Sequence, residues 1–263
     1  MVTGAMKTVL FALLILMLPG NTSFPSDRYV DERTRTEVYF CSTDKMFPHN
    51  WYNKKINPRA APLDAVERER MINILDRAFS KYPDHILKDN LNRVYAVKSL
   101  TFYDVPYGGT NSGNTVYLAD YSSSHASSDH FLEGVFHHEF SSILMRSCVS
   151  FFDEKEWKKN NPAGFLYGKG GVNAILNGEA SLAFDPSLFD QGFLNKYSQS
   201  ALEEDINVFA QNLFTGGSGF WSIADEYPRI RKKAGLLIAF YHRIDPVFTE
   251  DYFRYPGSRL VNR

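Results

Sequence analysis

Two adjacent residues on one predicted helix, His138 and Glu139, have the types found in a metal-dependent hydrolytic site. His138 and Glu139 begin the pattern H-E-x-x-H, in which two imidazoles four residues apart bind one zinc ion from the same helical face. In that pattern the glutamate polarises the metal-bound water as general base. Here Ser142 occupies the second histidine position, and a neutral hydroxyl is a poor zinc ligand beside imidazole. The residue types therefore predict such a site with much reduced affinity for zinc.

A third ligand could come from the start of a later helix, where residues 203–205 read Glu-Glu-Asp. A catalytic zinc has three protein ligands and leaves its fourth position to water. Acidic residues in a first helical turn also stabilise the helix dipole without binding anything, so both interpretations stay open. A second polar set, formed by His130, Glu133 and His137, lies on a different helical face. A metal ion could bind there but would have no downstream ligand, so the set is more typical of a solvated stripe, with His137 bonded to neighbouring structure.

The elements that position these residues are predicted from hydrophobic periodicity and turn chemistry. Strands are expected at 36–41, 93–105 and 115–120, and long helices at 63–82, 130–149, 201–214 and 227–244. Irregular or turn structure is expected at 24–62 apart from its strand, at 106–114, 121–129 and 151–171, and at a break over 216–219. Ser128 or Asp129 is expected to cap the helix over 130–149.

Strands precede helices along the chain, which indicates an α+β fold. We expect a small antiparallel or mixed sheet packed on the helix that carries His138, followed by a mainly helical C-terminal half.

The N-terminus has the composition of a secretory signal. Lys7 precedes an apolar run from Val9 to Leu18, which is followed by Pro-Gly. This run is too short to span a bilayer, and no later segment is apolar enough to do so. We therefore predict a signal peptide over 1–23, one domain over 24–263, and export to the periplasm, the cell envelope or the medium.

Charge and cysteine content narrow the class of protein. The net charge is −1 without a basic stripe, so a nucleic acid partner is not expected. There is no G-x-S-x-G elbow of the kind that positions a hydrolase serine. Cys41 and Cys148 are the two cysteines, and in an exported protein they favour a disulfide over the alternative of two free thiols.

Several motifs in order resemble a known family. Residues 137–144, HHEFSSIL, resemble the H-H-E-F-x-H-I-L segment of zinc-binding metallopeptidases found among exported bacterial envelope lipoproteins. These are often called substrate import-associated zinc metallohydrolases. Residues 192–214 resemble the family's Gly-Phe, Tyr-x-x-Ser, Glu-Asp and Ala-Glu pattern, and residues 227–243 its closing Y-P-x-x-x-x-K helix. The similarity covers most of residues 90–245.

The resemblance implies a zincin-like fold with His138 as first zinc ligand, Glu139 as general base and Glu204 as third ligand. Glu203, one residue earlier, stays an alternative to Glu204. The chain departs from the family at Ser142, which replaces the second histidine. It departs again at Gln211, where the family tends to have glutamate.

Three functions are open from the sequence. The first is an exported zinc-dependent metallopeptidase or metallohydrolase that acts on a peptide or protein, and His138 and Glu139 favour it. The second is a catalytically inactive zincin-fold binding or accessory protein of an envelope nutrient-import complex, which Ser142 favours. The third is an unrelated secreted α+β domain, and a large separation between His138 and the 203–204 carboxylates would favour it.

Overall fold

The computed structural model describes residues 27–41, 45–120 and 128–255, so the predicted signal peptide lies outside the described residues. The fold is α+β, as predicted. The strands are β1 (Arg28–Val30), β2 (Glu37–Tyr39), β3 (Arg59–Ala61), β4 (Arg93–Val97), β5 (Ser99–Phe102), β6 (Val105–Tyr107), β7 (Gly109–Ser112) and β8 (Thr115–Ala119). The α-helices are α1 (Ala65–Phe79), α2 (Asp84–Asn90), α3 (Asp129–Ser147), α4 (Glu154–Lys159), α5 (Gly171–Leu176), α6 (Leu202–Thr215), α7 (Gly217–Glu226), α8 (Pro228–Ile244) and α9 (Glu250–Arg254).

The described residues form two β-sheets and two hydrophobic cores, and the larger sheet contributes side chains to both cores. The larger sheet is mixed and has the order β1-β2-β4-β8-β7, with β2, β4 and β8 parallel and both edge strands antiparallel to their neighbours. Since side chains alternate along a strand, Val94 and Val116 face the main helical core, whereas Tyr95 and Tyr117 face a second, aromatic core. The smaller antiparallel sheet, β3-β5-β6, contributes Leu100 to that aromatic core.

The predicted long helices at 63–82, 130–149, 201–214 and 227–244 are confirmed as α1, α3, α6 and α8. Helix α1 begins with a capping box, in which the Asp64 side chain accepts from the Glu67 backbone and the Glu67 side chain accepts from the Asp64 backbone. Ser128 caps α3 by accepting from the Phe131 backbone, as predicted. Among the described helices, none is both long and apolar enough to cross a membrane.

Helix α3 is the central element of the molecule. Thirteen consecutive residues, Leu132–Leu144, are buried, so the helix is enclosed on every side by α1, α6 and the sheet. Because α3 is enclosed, its polar residues His137, His138 and Glu139 lie in the interior, where each needs a hydrogen-bond or ionic partner.

The prediction of one strand over 93–105 is wrong. The segment divides at Lys98 into β4 and β5, which belong to different sheets. The hairpin between β5 and β6 has a two-residue loop in which Tyr103 and Asp104 have φ of 54° and 60°. Positive φ at both positions is the geometry of a type I′ turn, which usually shows itself as Asn-Gly or Asp-Gly. Tyr-Asp carries no such signal, so the pattern read as one continuous strand.

The predicted turn region at 106–114 is also wrong, because it contains the end of β6 and all of β7. Only the β7–β8 loop is a turn, with Gly113 at a φ of 54°. Elsewhere, β1 and β3 lie in the predicted irregular segment 24–62, and α4 lies in the predicted irregular segment 151–171. At 216–219 the chain passes from α6 to α7 but continues as helix from Gly217, so the predicted break is a single junction.

The favoured disulfide is wrong, because Cys41 and Cys148 are both free thiols. Cys41 follows β2, which runs parallel to β8 through β4, so it lies toward the sheet edge where β8 ends. Cys148 ends α3, beside Arg146, whose guanidinium contacts the Gly113 carbonyl at the opposite end of β8. Cys41 therefore lies toward the end of β8 and Cys148 toward its start, which agrees with two free thiols.

A buried ion pair joins α6 to α8. Lys233 Nζ donates to Asp205 Oδ2 at 2.7 Å and to the Gly192 carbonyl at 2.8 Å. The same Asp205 oxygen accepts from Trp157 Nε1 at 2.9 Å and from the Tyr167 hydroxyl at 2.7 Å. Both charged side chains are fully buried, so this cluster links four parts of the C-terminal half through one carboxylate.

Candidate functional site

A cleft of about 530 Å³ lies between β7, α3, α6 and the segment around α5. Its volume falls within the range of ligand-binding pockets. The residues on its floor include His138, Glu139 and Ser142 from α3 and Glu204 and Asn207 from α6. The structure therefore brings every predicted site residue into one cavity.

His138 and Glu204 are in direct contact across the floor of the cleft. His138 Nε2 lies 3.0 Å from Glu204 Oε2, although the two residues are 66 positions apart. Glu203, the alternative ligand, also lines the cleft but is exposed and lies 3.6 Å from the guanidinium of Arg146, near the C-terminal end of α3. Glu204, the next residue in the first turn of α6, contacts His138 in the middle of α3. Of the two carboxylates that the sequence left open, the structure places that of Glu204 against His138.

Tyr197 and Gly171 enclose this pair from the other side. The Tyr197 ring stacks on His138, with centroids 6.0 Å apart and planes inclined by 27°. Burial and the Glu204 carboxylate, to which its hydroxyl is hydrogen-bonded, raise the pKa of Tyr197. A Cβ atom at Gly171 would collide with Glu204 and Tyr197, so the start of α5 can lie this close only because residue 171 is glycine.

Glu139 is held at the boundary between α3 and the edge strand β7. Its Oε2 accepts from Asn111 Nδ2 at 2.7 Å, and Arg146 donates to Asn111 Oδ1 at 2.6 Å, which orients the amide. Gly109 makes this approach possible, because a Cβ there would lie 2.6 Å from Val135 Cγ1 and 3.0 Å from Glu139 Oε1. The strand that borders the site is therefore β7, the edge strand of the larger sheet.

The buried charges of the cleft shift each other's pKa. Burial raises the pKa of Glu139 to about 7, and the neighbouring carboxylates of Glu204 and Glu203 add to this, against the opposing effects of His138 and Asn111. Burial disfavours protonated His138, but its hydrogen bond to Glu204 and the surrounding carboxylates outweigh burial and raise its pKa. Glu139 thus exchanges a proton near neutral pH, as a general acid or base would.

The second ligand position of the motif is occupied by a hydrogen-bonded pair. Asn207 Nδ2 donates to Ser142 Oγ at 2.6 Å, and both residues are buried. The amide from α6 therefore uses the space beside α3 that a second imidazole at position 142 would need.

The residues present do not fit a catalytic zinc ion. His138 and Glu204 supply two strong ligands where three are needed, and Ser142 supplies a neutral hydroxyl that is already bonded. Across the described ranges, no group of three or more His, Cys, Asp or Glu side chains is arranged to hold a metal ion. Hydrolysis by a zinc-bound water therefore has no complete ligand set in this cleft.

The second polar set on α3 lies apart from the cleft and is structural. The interpretation of Glu133 and His137 as solvated is wrong, since both are buried. His137 Nδ1 lies 2.8 Å from the Tyr82 hydroxyl, so the predicted bond of His137 to neighbouring structure is present. Glu133 forms an ion pair with Lys81. His130, at the start of the helix, is exposed.

Sequence reasoning missed four residues that shape the site. Asn111, Arg146 and Asn207 carry no local signal, because polar residues of these types are common on strand edges and helices. Tyr197 belongs to the Tyr-x-x-Ser part of the family pattern, so that motif could have identified it.

No family model, curated protein or solved structure matches this chain. The resemblance carried by residues 137–144, 192–214 and 227–243 therefore stays a prediction.

Proposed function

We propose that this chain is an exported zincin-like protein that binds a peptide in the cleft and has lost zinc-dependent hydrolysis. One observation carries the proposal: His138, Glu139 and Glu204 share a cleft, but the place of the second imidazole is taken by Ser142 and Asn207. A cleft that keeps its shape and loses a metal ligand retains binding more readily than catalysis.

The zincin-like assignment is supported by the order of elements around the site. An edge strand precedes the helix with the His-Glu pair, and a downstream helix contributes a carboxylate to the same point. His138 and Glu204 are also in contact, whereas a wide separation between them would favour an unrelated domain. By the family resemblance, the biological setting would be an accessory role in an envelope nutrient-import complex.

Peptide binding is supported by the edge strand β7. In the described sheet β7 is the edge strand and pairs with β8 alone, and its residues Gly109, Thr110 and Asn111 line the cleft. An extended peptide can add to such an edge as a further strand, with its side chains held in pockets. Val135, Val172 and Leu182 offer apolar wall for those side chains.

The test is the zinc content of the purified protein after incubation with zinc and removal of unbound metal. We expect substoichiometric zinc in the wild type. Ser142→His combined with Asn207→Ala, which clears the space that the Asn207 amide occupies, restores the second imidazole and should raise zinc affinity by at least ~10-fold, because even residues that only orient metal ligands are worth this much. Ser142→Ala combined with Asn207→Ala, which adds no ligand, is the matched control and should not gain zinc. Stoichiometric zinc in the wild type would overturn the proposal whatever the variants do.

The second candidate function is a zinc-dependent metallohydrolase, and Glu139 favours it. Its carboxyl is intact and buried, and its pKa near 7 suits a general base. This candidate predicts stoichiometric zinc together with casein cleavage that a chelator abolishes and Glu139→Gln removes.

A further inference from the structure

The floor of the cleft holds buried acceptor atoms that lack donors. Asn207 Oδ1 and Gln211 Oε1 are inaccessible to solvent and have no hydrogen-bond partner among the described residues. Asn207 is 2 % exposed and lines the cleft, while its amide nitrogen is already bonded to Ser142. A buried acceptor without a donor is destabilising, so each of the two oxygens has an unmet need for a hydrogen-bond donor.

These oxygens belong to one acceptor-rich stripe on α6. Glu204, Asn207 and Gln211 follow the spacing i, i+3, i+7, which places them on the same helical face. Gly134 on α3 leaves room for Gln211, since a Cβ there would lie 3.0 Å from the Gln211 side chain. Glu139 adds a carboxylate from α3 to the same cleft. We call Glu139, Glu204, Asn207 and Gln211 the acceptor cluster.

We infer that the acceptor cluster binds a primary ammonium group carried on an apolar chain, as at the amino terminus or a lysine side chain of a peptide. An ammonium has a positive charge and three N–H donors but no acceptor, so it complements carboxylate and amide oxygens. The inference rests on the proposed function, because a zinc ion on His138 and Glu204 would supply the positive charge instead.

The surroundings favour an organic cation over a metal ion. The cleft, at about 530 Å³, is far larger than one ion needs. Its walls beside the acceptor cluster include Val135, Ile175 and Leu182, which suit an aliphatic chain attached to the ammonium. His138 of the lining is paired with Glu204, and Arg146 is bonded to Asn111 and paired with Glu203, so neither side chain supplies a donor to the amide oxygens of Asn207 and Gln211.

The test is calorimetric titration of the full chain with three small amides at about pH 7, where α-amino and lysine amines are largely protonated. Leucine amide carries an α-ammonium, Nα-acetyl-lysine amide carries a side-chain ammonium, and Nα-acetyl-leucine amide is a neutral control of similar shape. We expect one or both ammonium compounds to bind at least ~10-fold more tightly than the control, as a charged hydrogen bond predicts. The tighter of the two identifies the source of the ammonium. Similar affinities for all three compounds overturn the inference.

Two variants locate the binding. Gln211→Met and Asn207→Leu replace the unpaired oxygens by apolar atoms in side chains of similar length, and each should weaken ammonium binding by roughly 10-fold. Asn212→Leu is the matched control on the same helix, because the Asn212 amide donates to the Val208 carbonyl and lies outside the cleft lining. A loss of affinity in Asn212→Leu equal to that in Gln211→Met overturns the inference.

Zinc content is measured on the same samples, so that failure of ammonium binding can be distinguished from failure of the proposed function. Zinc-free protein without a preference for ammonium compounds overturns this inference and leaves the proposed function standing. Stoichiometric zinc overturns both.

Discussion

At the scale of single residues, the cleft is a small network of buried charges that stabilise one another. His138 and Glu204 lie 3.0 Å apart and each is the other's charged partner. Burial raises the pKa of Glu139, and repulsion by Glu204 adds to this effect, whereas the pKa of His138 is raised against burial by its attraction to the carboxylates. Folding therefore retains protons on both groups to higher pH than the unfolded chain does.

Glu139→Gln tests this charge balance through the pH dependence of stability. The carboxyl has a pKa of about 7 in the folded protein against 4.5 when unperturbed, so the folded state binds more protons between these values. Its contribution is present below pH 4.5 and is lost as pH rises through 7, by up to roughly 3 kcal/mol. Urea unfolding should show a steeper loss of stability with rising pH in the wild type than in Glu139→Gln. Glu154→Gln, an exposed change, should follow the wild type, and parallel curves for all three would contradict the assignment.

At the scale of elements, the site depends on how closely β7 approaches α3. Gly109 allows this approach, because its missing Cβ leaves space for Val135 and Glu139. Asn111, two residues further along β7, then reaches Glu139 from the same face of the strand. The close approach of β7 to α3 therefore depends on the absence of a side chain at Gly109.

Gly109→Ala should separate β7 from α3. The added Cβ would lie 2.6 Å from Val135 Cγ1, and overpacking of this kind destabilises by about 1–3 kcal/mol. Gly108→Ala is the matched control, since nothing lies within 4 Å of its Cβ position, and it should change stability by less than about 0.5 kcal/mol. Urea unfolding midpoints of the two variants measure the difference. Equal effects of the two substitutions on stability would contradict the close packing of β7 on α3.

At the scale of the whole molecule, the ion pair between Lys233 and Asp205 anchors the helix that carries Glu204. Asp205 follows Glu204 directly, and its carboxylate is bonded to α8 through Lys233, to α4 through Trp157 and to the following loop through Tyr167. The orientation of the first turn of α6 is therefore coupled to the packing of the C-terminal half.

Lys233→Met should be strongly destabilising, by about 3–5 kcal/mol, because it leaves the Asp205 carboxylate buried without its cation. Adding Asp205→Asn removes the stranded charge and keeps an acceptor for Trp157 and Tyr167, so the double variant should be more stable than the single one. Lys232→Met, at the exposed neighbouring position, is the control and should be close to wild type. Unfolding in urea measures all three. A double variant less stable than Lys233→Met would contradict the role of charge.

Much of the secondary structure could be predicted from local pattern. Helices α1, α3, α6 and α8 each have apolar residues at helical spacing or a recognisable start, and these are properties of neighbouring residues. The β5–β6 hairpin and β7 could not, because Tyr103 and Asp104 adopt a turn conformation that their types rarely signal. The glycines of 106–114 serve close packing as well as turning.

What the sequence by itself determined is which side chains α3 presents, since helical periodicity alone places His138 and Ser142 on one face and Glu139 beside them. What only the tertiary structure decided is what those side chains meet. His138 contacts Glu204 and not Glu203, and the Asn207 amide donates to Ser142. Both contacts join helices whose contacting residues are more than 60 positions apart in the chain. Such contacts depend on the rotation and separation of packed helices, which local sequence patterns do not encode.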